Sequence, residues 1–130
     1  IFSPVFQDLL QQGLATSVYH MSGGAFKGKL AEPLARAGMS AHLHNIFQAD
    51  WRELSIRALS NTTLENAYAK WPMGNDGFVA TGEPDRVIAK IEGQGLQTRV
   101  VGQLERAEGD KTGVELEASP GKIIYFSGKD

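Results

Sequence analysis

The stretch Thr16-Ser17-Val18-Tyr19-His20-Met21-Ser22-Gly23-Gly24-Ala25-Phe26-Lys27-Gly28-Lys29 carries the reading of this chain. Residues 16–19 are β-rich and read as a short strand running into His20. Ser22-Gly23-Gly24 then breaks the pattern before a helical segment follows. Small residues at such a break let backbone N–H groups approach an anion with no side chain in the way. A following helix N-terminus would add partial positive charge and Lys27 or Lys29 a full one, so phosphate is the natural ligand for such a loop. The spacing is neither the G-x-x-x-x-G-K-[ST] phosphate loop nor the dinucleotide G-x-G-x-x-G. It serves equally as a tight strand-to-helix turn that needs positive φ.

Working outward, Ser3-Pro4 suits the start of a helix whose apolar stripe is Val5, Phe6, Leu9 and Leu10, ended by Gly13. Leu30 to Arg36 reads as a short helix closed by Gly38. Ala41 to Ile46 alternates as a half-buried strand with His42 and His44 on one face. Asp50 can cap a helix carrying Trp51, Leu54 and Leu59, with Glu53 in capping-box position. Thr63 with Asn66 to Tyr68 forms another helical turn, stopped before Pro72. Phe78 to Ala80 is a strand, and Pro84-Asp85 opens a helix through Val87, Ile88 and Ile91. Thr98 to Leu104, Gly113 to Leu116 and Lys122 to Phe126 close the chain as strands, with turns at Gly109-Asp110 and Pro120-Gly121. The expected fold class is α/β (α+β), a mixed β-sheet flanked by helices.

A second glycine segment, Trp71-Pro72-Met73-Gly74-Asn75-Asp76-Gly77-Phe78, enters the strand at 78. Gly, Asn and Asp are the usual turn formers, so it reads as a turn; as a functional loop it would present backbone amides beside an aromatic wall. The 130 residues suit one domain, 1–130, and the 15 glycines exceed the background of about 7%. Thirteen Lys plus Arg against 15 Asp plus Glu leave a net charge of −2, with no basic footprint for nucleic acid or an anionic membrane. No cysteine is present, so disulfides, thiolate nucleophiles and cysteine metal sites are excluded. His42 and His44 could pair on a metal, but a site normally needs three or more protein ligands. No run of about 20 apolar residues offers a membrane span, and a cytoplasmic location follows as the default.

The two glycine segments, in this order and about fifty residues apart, resemble the C-terminal domain of the aminoimidazole ribonucleotide synthetase family (phosphoribosylformylglycinamidine cyclo-ligase), ATP-dependent enzymes of purine biosynthesis. The family's His-Ile-Thr-Gly-Gly-Gly is matched by His20-Met21-Ser22-Gly23-Gly24-Ala25, and a Phe-Asn-x-Gly-x-Gly-Met segment by Trp71 to Phe78. Val100-Val101-Gly102 is similar to the family's Ile-Gly-x-Ile segment. Ala25 replaces the third glycine, Pro72 the asparagine, and the second glycine pair is one residue wider.

The resemblance implies a partly ferredoxin-like C-terminal domain and a chain that is half of a two-domain enzyme. Its expected partners are an N-terminal ATP-binding domain, a small phosphorylated substrate and, at full length, a second copy in a homodimer. ATP and Mg2+ are the expected cofactors of the full-length enzyme, none held by this chain alone, which is expected to be inactive in isolation. It assigns phosphate or substrate contacts to Ser22, Gly23, Gly24 and Lys27, proton transfer or loop orientation to His20, and a facing wall to Gly74, Asn75 and Gly77. The alternatives are a stand-alone small-ligand-binding or regulatory module, or a superfamily member with another substrate.

Overall fold

Gln12 closes the first helix, its side-chain amide donating to Asp8 at 2.7 Å and its N–H to the Asp8 carbonyl at 3.0 Å. This helix, α1 (Ser3–Gln11), belongs to a computed structural model that describes residues 3–21, 25–48, 63–70, 73, 75 and 77–128. The expected helix after Asp50 lies outside the described residues. The described residues form two compact units, 1–19 with 77–100 and 20–76 with 101–130, so the chain crosses between them at 19–20, 76–77 and 100–101.

In the first unit, α1 leads to β1 (Ser17–His20), which pairs with β3 (Gly77–Ala80), and α4 (Pro84–Glu92) follows. The Thr16 N–H donates to Ala80 O at 2.8 Å, while Gly77 lies against Tyr19 O at the other end, so the pair runs antiparallel. Helix α4 starts where Pro84 needs no N–H partner, and the Thr81 hydroxyl accepts the Glu83 N–H at 2.9 Å just before it. Of the stripe expected on α1, Phe6 and Leu9 are buried with Leu14, Ala15, Val87 and Ile91 in one cluster and Val5 packs against it, whereas Leu10 is exposed on the other side of the helix. Each of the Phe, Leu, Val and Ile side chains in that cluster stabilises the fold by roughly 1.5–3 kcal/mol on burial. The Lys90–Asp8 pair, 3.5 Å apart and half-exposed, adds little.

The second unit holds a mixed four-stranded sheet in the order β4-β2-β5-β6. Its strands are β2 (Met39–Leu43), β4 (Gly102–Arg106), β5 (Gly113–Ser119) and β6 (Lys122–Ser127). β2 is antiparallel to β4 and parallel to β5, and β5 is antiparallel to β6. The period-2 pattern puts Ala41, Leu43, Val114, Leu116, Ala118, Ile124 and Phe126 in the interior. A π-helix (Phe26–Ala31) and α2 (Glu32–Arg36) pack on the strands, burying Phe26, Leu30, Ala31 and Leu34. α3 (Leu64–Lys70) packs on the π-helix in turn. The described residues thus form an α+β fold with one mixed sheet and one antiparallel pair, each accompanied by helices.

Three elements differ from the sequence reading. The helix expected from Leu30 starts earlier, as a π-helix from Phe26 that runs on into α2. The strand expected over 41–46 runs over 39–43, since the His44 and Asn45 N–H groups both turn to the Val101 carbonyl, at 2.9 and 3.1 Å. His44 therefore falls outside the strand, and the two histidines do not share a strand face. The strand expected over 98–104 is displaced to 102–106 for the same reason, Val101 O being taken at the end of the ladder.

Candidate functional site

Met21 follows the exposed His20 at the end of β1 and is fully buried, as its apolar character requires. Ser22, Gly23 and Gly24 lie outside the described residues. The chain resumes at Ala25, which is fully buried and holds φ 39°, ψ −129°, a conformation that a side chain disfavours. This is the position where the resembled motif has its third glycine. Directly after it the backbone widens into the π-helix, with the Glu32 N–H donating to the Lys27 carbonyl five residues back. Such turns are rare and recur at functional sites.

The buried Phe26 ring meets Tyr68 of α3 edge-on, with centroids 5.4 Å apart at 63°. That aromatic contact fixes the base of the π-helix, while Lys27 and Lys29 stay on its exposed side. Lys27 thus stands exposed on an element anchored through Phe26, next to the glycine break.

The second glycine segment shows the same trait. Met73 is fully buried with φ 52°. Among the described residues, Ala25 and Met73 are the two non-glycine positions with positive φ, one in each glycine segment. Strain of this kind costs on the order of 1–3 kcal/mol and persists where the surroundings over-determine it. Gly74 is outside the described residues. Asn75 is 3% exposed, and its carboxamide accepts the Phe47 N–H at 2.9 Å while donating to Phe47 O at 2.8 Å and Met73 O at 3.1 Å. Asn75, one of the two residues between Gly74 and Gly77, is therefore folded inward. Gly77, in the first unit, is where close packing requires glycine, since an added Cβ would stand 2.8 Å from Phe6 Cζ and 3.2 Å from Tyr19 O.

The second unit also carries a charge cluster that the sequence pattern does not reveal. His42 on β2 places Nε2 at 2.7 Å from Glu105 on β4 and Nδ1 at 3.3 Å from Glu115 on β5. The Glu105 hydrogen bond is the main cause that raises the His42 pKa; partial burial opposes it and Glu115 adds to it. With carboxylates at both nitrogens the imidazolium is the favoured form, since only it donates twice. Alternation signals that His42 and Glu115 point off the sheet, but not that β2 lies between β4 and β5. Among the described residues no group of three or more His, Asp or Glu side chains is arranged to hold a metal ion. None of their helices is long and apolar enough to cross a membrane.

No family model matches the chain, and no curated protein matches it.

Proposed function

We propose that this chain is the C-terminal domain of an ATP-dependent synthetase related to phosphoribosylformylglycinamidine cyclo-ligase, supplying a phosphate- or substrate-binding loop to an active site completed by an N-terminal ATP-binding domain. The observation that carries the reading is the placement of backbone strain. Ala25 and Met73 adopt positive φ, each within one of the two glycine segments, and Ala25 occupies the position of a family glycine. Both side chains are fully buried, and strain of this kind persists where the surroundings over-determine the backbone, as they do at ligand-binding segments. The π-helix behind Ala25 supports the same reading.

In this proposal the Ser22-Gly23-Gly24 amides hold a phosphate of substrate or nucleotide, and Lys27 offsets its charge. His20 orients the loop or moves a proton, its side chain standing exposed at the end of β1. Gly74 contributes a backbone amide, and Asn75 shapes that segment from inside. ATP-driven ring closure of this class rests on positioning and on stabilising charge at the transferring phosphoryl group. Magnesium travels with the ATP phosphates and has no donor set among the described residues. A role in purine biosynthesis, a cytoplasmic location and a homodimeric full-length enzyme belong to the same proposal.

Titration of the 15N-labelled chain with Mg–ATP or a ribonucleotide monophosphate tests it. Amide signals of residues 20–28 should shift in a saturable manner, and addition of the N-terminal domain should yield ATP-dependent turnover absent from the chain alone. Unmoved signals at 20–28 in the reconstituted protein make the loop architectural. Turnover by the 130 residues alone refutes the shared active site.

A further inference from the structure

Strand β4 closes one edge of the four-stranded sheet and pairs with β2 alone, in unbroken antiparallel register from Met39 with Arg106 to Leu43 with Gly102. In such a ladder every second residue exchanges both of its backbone bonds with its partner. The Ala107 N–H donates to Gly38 O at 2.9 Å and the His44 N–H to Val101 O at 2.9 Å, so 101, 103, 105 and 107 turn their backbone towards β2. Gly102, Leu104 and Arg106 therefore turn theirs outward, where their N–H and C=O groups meet no partner among the described residues. The side chains of this strand are open as well, Gln103 to Arg106 all being exposed. On the inner side the helices pack over β2, β5 and β6, which leaves Leu104 39% exposed beside the buried Ala41. No proline or bulge interrupts 102–106. A regular edge with free backbone groups is a template for one more strand.

We infer that β4 pairs with β4 of a second copy of this chain, antiparallel across a two-fold axis at Leu104, so that one sheet runs through both copies. Centred there, Leu104 exchanges both bonds with the second copy's Leu104 and Gly102 exchanges both with the second copy's Arg106, which satisfies every outward group. The side chains agree with this register. The two leucines meet on the inner side, and Arg106 crosses the second copy's Gly102, which has no side chain to obstruct it. On the outer side Glu105 stands opposite the second copy's Gln103, whose amide can donate to Oε2 because Oε1 is taken by His42. A register centred on Glu105 would set two carboxylates directly opposite, and one centred on Gln103 would leave Arg106 without a partner. The contact belongs to the sheet itself and does not depend on the phosphate-site reading.

Sedimentation equilibrium of the full chain, from micromolar to millimolar concentration, tests it and should show a reversible monomer–dimer equilibrium. In 15N-labelled protein the amides of Leu104 and Arg106 should gain protection from hydrogen exchange as concentration rises, while Gln103 and Glu105, already in the ladder with β2, stay protected throughout. Leu104→Lys sets two ammonium groups opposite each other and should weaken association about tenfold. Leu104→Pro deletes an outward N–H without removing a bond to β2 and should abolish association. Should the proline variant fail to fold, the lysine variant, at an exposed position, carries the test. Ile123→Lys, at a 55% exposed position on the opposite edge strand, should associate as the parent does. A monomer over the whole range overturns the inference. So does a dimer that Leu104→Lys leaves intact, that Ile123→Lys dissolves, or that forms with no gain of protection at 104 and 106.

Discussion

Replacing Gly113 by alanine probes a close backbone approach between two strands of the sheet. Gly113 opens β5, is buried, has φ 126°, and pairs with Ser127 across the β5–β6 ladder. An added Cβ would press into the Phe126 carbonyl oxygen and stand 3.1 Å from the Gly128 nitrogen. Both are backbone atoms, so relief requires opening the ladder rather than turning a side chain. Backbone strain of this kind costs about 2 kcal/mol and overpacking about as much again, giving about 4 kcal/mol in total. That is a large share of the roughly 5–15 kcal/mol that holds a typical domain folded.

Gly121 supplies the control. It sits in the turn between β5 and β6 with φ 79° and nothing within 4 Å of an added Cβ. Gly121→Ala therefore bears only the left-handed backbone cost, about 1–2 kcal/mol. Urea unfolding followed through the Val114 and Leu116 amide signals reads the unit that carries both substitutions, and midpoint shifts at constant slope give the two energies. Gly113→Ala should be the more destabilising by about 2–3 kcal/mol. A difference below about 1 kcal/mol would refute the close backbone approach, and with it the placement of β6 against the start of β5.

His42 should titrate above its ordinary value of 6.5, because the Glu105 hydrogen bond favours the imidazolium. A folded value raised in this way makes the stabilisation complete below the unfolded value and lost as pH rises through the raised one. Ring-proton NMR against pH measures it, Glu105→Gln should lower it, and a midpoint at or below 6.5 contradicts the cluster. With the His42 side chain 41% exposed, salt should weaken the effect. Phe26→Ala should destabilise by about 3–5 kcal/mol in denaturant, since the ring is fully buried against Tyr68, and Phe26→Leu should recover much of that loss. At Ala25, glycine should be tolerated to within about 1 kcal/mol, because relief of the φ 39° strain offsets the lost burial and added chain entropy, while valine should cost about 2 kcal/mol or more. Equal unfolding midpoints for these two variants would deny the positive φ.

Where a single local rule decides the outcome, the residues reveal it. Val5, Phe6 and Leu9 at helical spacing form α1, Pro84 opens α4, and Pro120-Gly121 turns β5 into β6. Boundaries set by distant partners are not legible. β2 stops at Leu43 because the next two N–H groups go to Val101, 57 and 56 residues away in sequence, and no local pattern at 44–45 announces that. The placement of β2 between β4 and β5 is equally hidden, so the pattern groups His42 with His44 rather than with Glu105 and Glu115.

The candidate site shows the same division and gives it a physical reason. Composition locates both glycine segments, since glycine marks where backbone must go unusual ways. It does not show that the positive φ falls on the neighbours Ala25 and Met73 rather than on a glycine at those positions. Nor does it show that Asn75, a turn former by type, is buried with its carboxamide bonded to Phe47. Turn chemistry and site chemistry draw on the same residue types, so sequence alone does not separate them. Strain is the feature that only the structure supplies: glycine at 25 or 73 would ease the backbone but give up a buried side chain. Two buried side chains hold positive φ there, one of them directly before a π-helix, and the surroundings that keep them so are not written in the local residue types.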